Sequence, residues 1–277
     1  MPERIKKLVI AFVAIELALV LTFFISQRIM LQNTIDAIKE GDNETVLSLI
    51  DKLANVDTEG KGHETILSVA CEYGNRQVIH LALDRGADPN KQYGYLLTPI
   101  ELFCAYGYDA GPEPLQALIS AGADVNKYIN KPAIIVLAEK SYWMDDTQKA
   151  TASQEINLLF KSGAALTYGR ETVLHYAAKS NMSNLVYSLI RTEQGIALIN
   201  MLDTDGNTPY QVSVKYGAVA VQRVIRSYEE EIRKMMEDAE REENGEDPYL
   251  TEEEILNQLM DLNKNKNNEP TSENNGE

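Results

Sequence analysis

A phrase that occurs twice constrains the fold of this chain most strongly. ALDRGADPNKQY begins at Ala82 and ALISAGADVNKY begins at Ala117, so that Gly86 and Gly122 lie 36 residues apart. Recurrence at this distance is typical of repeat arrays, in which each unit buries its apolar face only against its neighbours. The sequence therefore predicts one structural unit that is used several times.

Each unit is predicted to begin with a helix that a threonine caps. Threonine accepts hydrogen bonds from free N–H groups at a helix start, and proline fits the first turn, as Pro99 and Pro209 would here. In one unit a lysine takes the place of the threonine. The predicted starts are Thr65, Thr98, Lys131, Thr172 and Thr208.

A second helix is predicted in each unit, and a glycine ends it. Glycine suits this position because it adopts the left-handed conformation that caps helix C-termini. The ADPN and ADVN segments that follow are turn formers and lead into the next unit. The predicted capping glycines are Gly86, Gly122 and Gly163.

These units resemble ankyrin repeats. TVLHYAA at Thr172–Ala178 matches the family's Thr-Pro-Leu-His pattern with its paired alanines, and TILSVAC, TPIELFC and TPYQVSV are weaker copies. GADPN and GADVN match the family's turn between units. The resemblance implies an all-α ankyrin-type solenoid of stacked helix pairs over residues 29–226, with about six units including caps. It also implies that His175 hydrogen-bonds with Thr172 and fixes its helix.

An apolar stretch near the N-terminus, Leu8 to Ile25, is predicted to be a transmembrane signal anchor. It holds 18 residues with one charge, Glu16, and its apolar residues outweigh a central carboxylate that costs about 3 kcal/mol. A cleaved signal peptide is the alternative, although no small-residue cleavage site follows. Glu16 is either tolerated in the span or pairs with another membrane helix.

The charges that flank this stretch predict its orientation. Arg4, Lys6 and Lys7 precede it, and only Arg28 follows closely. The positive-inside rule then places residues 1–7 in the cytoplasm and the repeats outside it.

The acidity of the chain is concentrated in its tail. From Tyr228 onward there are 17 acidic and 5 basic residues, whereas the formal charge of the whole chain is −16. We predict an acidic helical tail over residues 227–262 and a disordered segment over 263–277. A nucleic-acid partner is not expected, because the chain has no basic stripe to neutralise phosphates.

Residues suited to catalysis or metal binding form no recognisable pattern. His63, His80 and His175 stand in different contexts without metal-ligand spacing, and no nucleophile or phosphate-binding motif occurs. Cys71 and Cys104 each follow the unit threonine by six residues, which predicts two buried free thiols rather than a disulfide. No enzyme activity, cofactor, metal or small-molecule substrate is therefore expected. An acidic hydrolytic site at Asp145 and Asp146 is the disfavoured alternative.

Aromatic residues mark two candidate partner-binding regions. The unit that starts at Lys131 has extra residues, predicted to lie between its two helices, which include Tyr142 and Trp143. These aromatic side chains would either contact a partner or cover an adjacent helix end. The tips of the turns between units carry four tyrosines, which would either bind a partner or pack on the neighbouring turn. They are Tyr93, Tyr95, Tyr128 and Tyr168.

The predicted function is a membrane-tethered module that binds a protein through its turn tips and inner-helix face. An immunity-type inhibitor of a toxin or enzyme would present the same surface, so this alternative stays open. A second alternative is an envelope scaffold that acts through its acidic tail.

Overall fold

The computed structural model describes residues 2–92, 94, 97–128 and 130–242, with side chains up to Glu237. The described part of the chain is an all-α ankyrin-type fold, as the sequence predicts. The chain divides into two compact units. Unit 1 is Met1–Leu137 with Leu158–Ala164, and unit 2 is Ala138–Asn157 with the residues from Ala165 onward.

Unit 1 consists mainly of helix pairs. They are α1 Glu3–Glu40 with α2 Asn43–Ile50, α3 Ile66–Glu72 with α4 Arg76–Asp84, and α5 Pro99–Leu102 with α6 Pro112–Ser120. A π-helical turn, Phe103–Gly107, and a 3-10 turn, Tyr108–Ala110, continue α5. Fully buried apolar side chains join consecutive pairs, among them Ile35, Ile66, Leu67, Ile100 and Phe103.

Two helices, α7 Ala133–Lys140 and α8 Asp146–Lys161, contribute residues to both units. Unit 2 continues with α9 Val173–Lys179, α10 Ser183–Leu189, α11 Glu193–Leu198, α12 Pro209–Lys215 and α13 Val219–Glu242. A minimal antiparallel hairpin, β1 Thr167–Tyr168 with β2 Glu171–Thr172, precedes α9. The short helix α11 fills the longer connection before α12.

Threonine capping explains where the first helices begin. Thr65, Thr98, Thr172 and Thr208 each accept a hydrogen bond from the backbone N–H three residues later. In all four repeats the side chain three residues after the threonine accepts in return from the threonine N–H, which completes a capping box. The returning side chains are Ser68, Glu101, His175 and Gln211.

The location predicted for the extra residues after Lys131 is wrong. Most of them lengthen the second helix, because α8 has 16 residues whereas α4 has 9. Only a 3-10 turn, Ser141–Trp143, and two further residues separate α7 from α8. The physical reason is local: DTQKATASQE contains no glycine or proline, and the Asp145 carboxylate accepts from the Gln148 N–H at 2.8 Å and caps the helix.

Helices at both ends of the described chain extend beyond the repeats. The apolar segment 8–25 is the exposed first part of α1, and α1 continues through Leu31, Ile35 and Ile38, which are buried in unit 1. By length and composition α1 could cross a membrane, a test that signal sequences also pass. At the other end, α13 carries the first part of the predicted acidic tail. The predictions for the rest of that tail lie outside the described residues.

Candidate partner-binding surface

The repeated phrase forms a hydrogen-bonded ladder between successive turns of unit 1. The Asn90 amide donates to the Gly122 carbonyl oxygen at 2.8 Å and accepts from the Asp124 N–H at 2.7 Å. Asn126, in the next repeat, donates to the Gly163 carbonyl oxygen at 2.9 Å. Lys127 adds a bond to the Asn90 carbonyl oxygen at 3.0 Å. The phrase recurs because its asparagine and lysine hold the next turn in register.

The three capping glycines, two of which these asparagines contact, adopt the backbone conformation that only glycine takes easily. Gly86, Gly122 and Gly163 have φ of 80°, 93° and 85°. Their carbonyl groups at the helix ends are thus available to the ladder.

Two of the four tip tyrosines belong to the described residues. Tyr128 ends the second copy of the phrase and is 40% exposed, and Tyr168 lies in β1 and is 37% exposed. Both side chains are therefore partly accessible and partly packed. Tyr93 and Tyr95 lie outside the described residues.

His175 links three backbone segments of unit 2. Its Nδ1 accepts from the Thr172 N–H at 3.2 Å, so its neutral ring carries the proton on Nε2. Nε2 lies 3.1 Å from the carbonyl oxygens of both Met201 and Asn207 and donates to them. The side chain is buried, and it acts as a structural bridge from the start of α9 to the loop before α12.

An aromatic cluster on unit 2 is the most exposed apolar feature of its repeats. Trp143 is 86% exposed and stands edge to face with Tyr142, with ring centroids 4.9 Å apart. Tyr142 in turn lies 5.8 Å from Tyr216. We call Tyr142, Trp143 and Tyr216 the aromatic cluster.

The cluster forms because three helix-pair turns bring their ends together. Tyr142 and Trp143 occupy the 3-10 turn after α7, and Tyr216 is the C-cap of α12. Lys179, the last residue of α9, places its Nζ 4.7 Å from the Tyr142 ring centroid and 5.1 Å from that of Tyr216. These distances are within the range of cation–π attraction, which stabilises the rings in position.

A second lysine lies beside the cluster and pairs with a carboxylate. The Lys215 Nζ lies 5.9 Å from the Tyr216 ring centroid and donates to the Asp205 carboxylate at 3.0 Å. That hydrogen bond and the carboxylate charge raise the pKa of Lys215. An aromatic surface with cations at its edge suits an apolar or aromatic anchor of a partner, flanked by acidic groups.

Sequence reasoning singled out Tyr142 and Trp143 but missed the wider pattern of tyrosines. Tyr73, Tyr106 and Tyr216 each stand eight residues after a unit threonine and directly before a glycine. They are 51%, 57% and 41% exposed, respectively. The recurrent Tyr-Gly pair at a fixed distance was the signal that could have revealed them.

Side chains suited to metal binding or catalysis are not clustered in the described part of the chain. Among residues 2–92, 94, 97–128 and 130–242, no group of three or more His, Cys, Asp or Glu side chains is placed to hold a metal ion. Asp145 caps α8, as described above, and Asp146 is the first residue of that helix. Cys71 and Cys104 are buried and, among the described residues, form no disulfide, as the sequence predicts.

Comparisons with known proteins agree with this architecture. Residues 62–91, which contain α3, α4 and all but the last two residues of the first copy of the phrase, match the ankyrin repeat family. A putative ankyrin repeat protein of Acanthamoeba polyphaga mimivirus is 44% identical over 50 residues, 18% of this chain and 31% of that protein. An L-asparaginase of Dirofilaria immitis is 38% identical over 60 residues, 22% of this chain and 10% of that enzyme.

The matched segments thus cover less than a third of the length of either relative. Residues 62–91 are thus similar to an ankyrin repeat, and the capped helix pairs of the described residues form an ankyrin-type fold. Ankyrin repeats are protein–protein interaction modules and are typically not enzymes.

Proposed function

We propose that this chain is a membrane-tethered, non-enzymatic module that binds a protein partner through the aromatic cluster, with the turn tips as a secondary contact. The exposure of Trp143 carries the proposal. A tryptophan that leaves 86% of its surface in solvent contributes little to folding, whereas tryptophan and tyrosine are the residues most enriched at binding hot spots.

Preorganisation supports the same surface. Edge-to-face contacts and the Lys179 ammonium hold Tyr142 and Tyr216 in position. A partner would therefore lose little side-chain entropy on this side of the interface, which favours affinity. The Lys179 ammonium at the edge suits a partner with acidic groups around its apolar anchor.

Helix α1 supplies the tether in this proposal. Residues 8–25 are apolar and exposed in α1, so an 18-residue span of roughly 27 Å would enter the bilayer. The flanking charges favour a cytoplasmic N-terminus and repeats on the other side. The tether confines the partner complex to the membrane surface.

The test begins with the full chain, solubilised from membranes in mild detergent and used to capture its partner, which mass spectrometry identifies. The purified partner is then titrated against variants. Trp143→Ala should weaken binding about 30-fold or more, the effect of losing a 2 kcal/mol hot spot. Its unfolding midpoint should stay within error of the wild-type value, because the indole is exposed.

Tyr187→Ala is the matched control, since Tyr187 is 47% exposed on α10 of the same unit and stacks on Arg191. It should bind as the wild type does. A Tyr128→Ala/Tyr168→Ala variant measures the contribution of the tips. Unchanged affinity of Trp143→Ala would refute the role of the cluster, and recovery of the intact chain in the soluble fraction would refute the tether.

A further inference from the structure

The helix that would cross the membrane is continuous with unit 1. Helix α1 runs from Glu3 to Glu40 without interruption, and its last part is buried among the repeats. No flexible linker therefore separates the segment that ends at Ile25 from the folded unit. The surface of unit 1 next to Ile25 has a fixed depth relative to the proposed span.

That depth corresponds to the lipid headgroups. With a rise of 1.5 Å per residue, Arg28 lies about 4.5 Å and Gln32 about 10 Å beyond Ile25. The headgroup layer on each side of a bilayer is roughly 5–8 Å thick. Residues from Gln27 to Gln32 are thus at, or just beyond, headgroup depth.

Two loops of unit 1 are bound to this part of α1. The Gln27 amide donates to the Lys52 carbonyl oxygen at 3.2 Å and accepts from the Ala54 N–H at 2.8 Å. The Gln32 amide oxygen accepts from the Lys61 N–H at 3.3 Å. The loops are thereby positioned at the same depth as the helix.

Three basic residues belong to these segments. Arg28, Lys52 and Lys61 are all exposed, and Arg28 and Lys61 line one cavity of about 290 Å³ beside Gln32 and Gly60. The neighbouring Ile29 is 57% exposed, as suits a residue at the boundary with acyl chains.

These three cations differ from others in unit 1 in what they contact. Within the part of the chain that the structure describes, none of the three forms an ion pair or a side-chain hydrogen bond. Lys39, Arg85 and Lys91 of the same unit pair with Glu64, Asp51 and Glu59, respectively. Positive charge is therefore not compensated by a carboxylate at the depth where phosphates of a bilayer would lie.

We propose that Arg28, Lys52 and Lys61 form a headgroup surface that binds the phosphates of anionic phospholipids and holds unit 1 against the membrane. The inference rests on the proposed tether and extends it from a simple anchor to a fixed orientation. Membrane lipid is the occupant because the surface is continuous with the span and complementary in charge. A basic residue near an anionic surface contributes about 1 kcal/mol of attraction.

The test uses the full chain in nanodiscs of mixed phosphatidylcholine and phosphatidylglycerol, with native mass spectrometry of the lipids it retains. Wild type should retain phosphatidylglycerol preferentially. Arg28→Gln/Lys52→Gln/Lys61→Gln should retain at least about fivefold less of it, the effect of one such charge. The control, Arg170→Gln/Arg223→Gln/Lys234→Gln, removes the same charge from unit 2 and should behave as wild type.

A depth measurement gives an independent result. Because Cys71 and Cys104 are buried, a fluorophore can be placed selectively on Ala54→Cys or, as the control, on Ala121→Cys at the end of α6. Lipids with a headgroup quencher should quench the Ala54→Cys probe more strongly, and the triple substitution should reduce that difference.

Each outcome decides the proposal. Equal phosphatidylglycerol retention by wild type and the triple variant, or equal quenching of the two probes, would overturn the headgroup surface while leaving the tether intact. Failure of the wild-type chain to float with vesicles would overturn both. Flotation of the triple variant with lost lipid preference would support both.

Discussion

The backbones of Gly74 and Gly107 meet directly between the second and third helix pairs. A Cβ atom on Gly107 would lie 3.1 Å from the Gly74 Cα and 2.1 Å from the Cys71 carbonyl oxygen. Each glycine stands nine residues after its unit threonine, Thr65 or Thr98. The two first helices approach this closely only because both positions lack a side chain.

Gly107→Ala should therefore destabilise unit 1 by steric overlap alone. Gly107 has φ of −93°, which alanine adopts freely, so conformational strain adds nothing. Overpacking against backbone atoms that cannot rotate away should cost about 2–3 kcal/mol. Chemical denaturation of the full chain in mild detergent, followed by circular dichroism, measures the loss.

Gly86→Ala separates this effect from the cost of backbone conformation. Gly86 has φ of 80° and no atom within 4 Å of an added Cβ, so the substitution should cost only about 1 kcal/mol. If Gly107→Ala is no more harmful than Gly86→Ala, the contact between the glycines does not limit the packing.

Local signals explain why the first residue of each repeat could be predicted from the sequence. The caps at Thr65, Thr98, Thr172 and Thr208 depend on residues three positions apart, and such short-range hydrogen bonds are visible in a sequence. The extra residues near Trp143 extend α8 instead of forming a loop, because DTQKATASQE contains no glycine or proline to end the helix. Propensity favours extension of α8 over a loop.

The aromatic cluster could be predicted only in part. Tyr142 and Trp143 are adjacent in sequence, but their neighbours Lys179 and Tyr216 come from later turns. Which turns converge depends on how helix pairs stack, a long-range property that one sequence does not display. The tip tyrosines, by contrast, can be located from the sequence alone, because Tyr93 and Tyr128 end the two copies of the repeated phrase.

Asn90→Ala should weaken the ladder between turns. The substitution removes one donor to Gly122 and one acceptor for Asp124, and water can replace part of each bond because the site is exposed. The expected loss of unfolding free energy is about 1–2 kcal/mol. Denaturation in mild detergent measures it.

Asn33→Ala is the control for the ladder, since Asn33 is an exposed asparagine of unit 1 on the surface of α1. It should change the unfolding free energy by less than about 0.5 kcal/mol. Equal effects of the two substitutions would show that the ladder adds nothing to stability.

His175→Ala should be among the more damaging substitutions in unit 2. It leaves the Thr172 N–H and the carbonyl oxygens of Met201 and Asn207 without their partner in a buried setting. Loss of these bonds should cost about 3 kcal/mol. Thermal and chemical denaturation of the full chain provide the measurement.

His175→Gln is a discriminating companion, because the chain already contains the same arrangement elsewhere. Gln211 accepts from the Thr208 N–H at 2.8 Å, so glutamine at position 175 can preserve the capping box while losing the bonds to the distant loop. It should recover roughly half of the stability that His175→Ala loses. Full recovery would mean that the bonds from Nε2 contribute nothing.

Asp203 should make the stability of unit 2 depend on pH in the acidic range. Burial raises the pKa of its carboxyl group, but hydrogen bonds from the Asn207 N–H at 2.7 Å and the Asp205 N–H at 2.9 Å favour the ionised form and leave the pKa below its usual value. Because the folded state has the lower pKa, this stabilisation is present above the unfolded pKa of about 3.9 and is lost as the pH falls through the folded value. Asp203→Asn keeps an acceptor without the charge, so at pH 7 it should be less stable than wild type by about 1 kcal/mol. Denaturation at a series of pH values should show this difference shrinking below pH of about 4, and a difference that stays constant down to pH of about 2 would contradict the assignment.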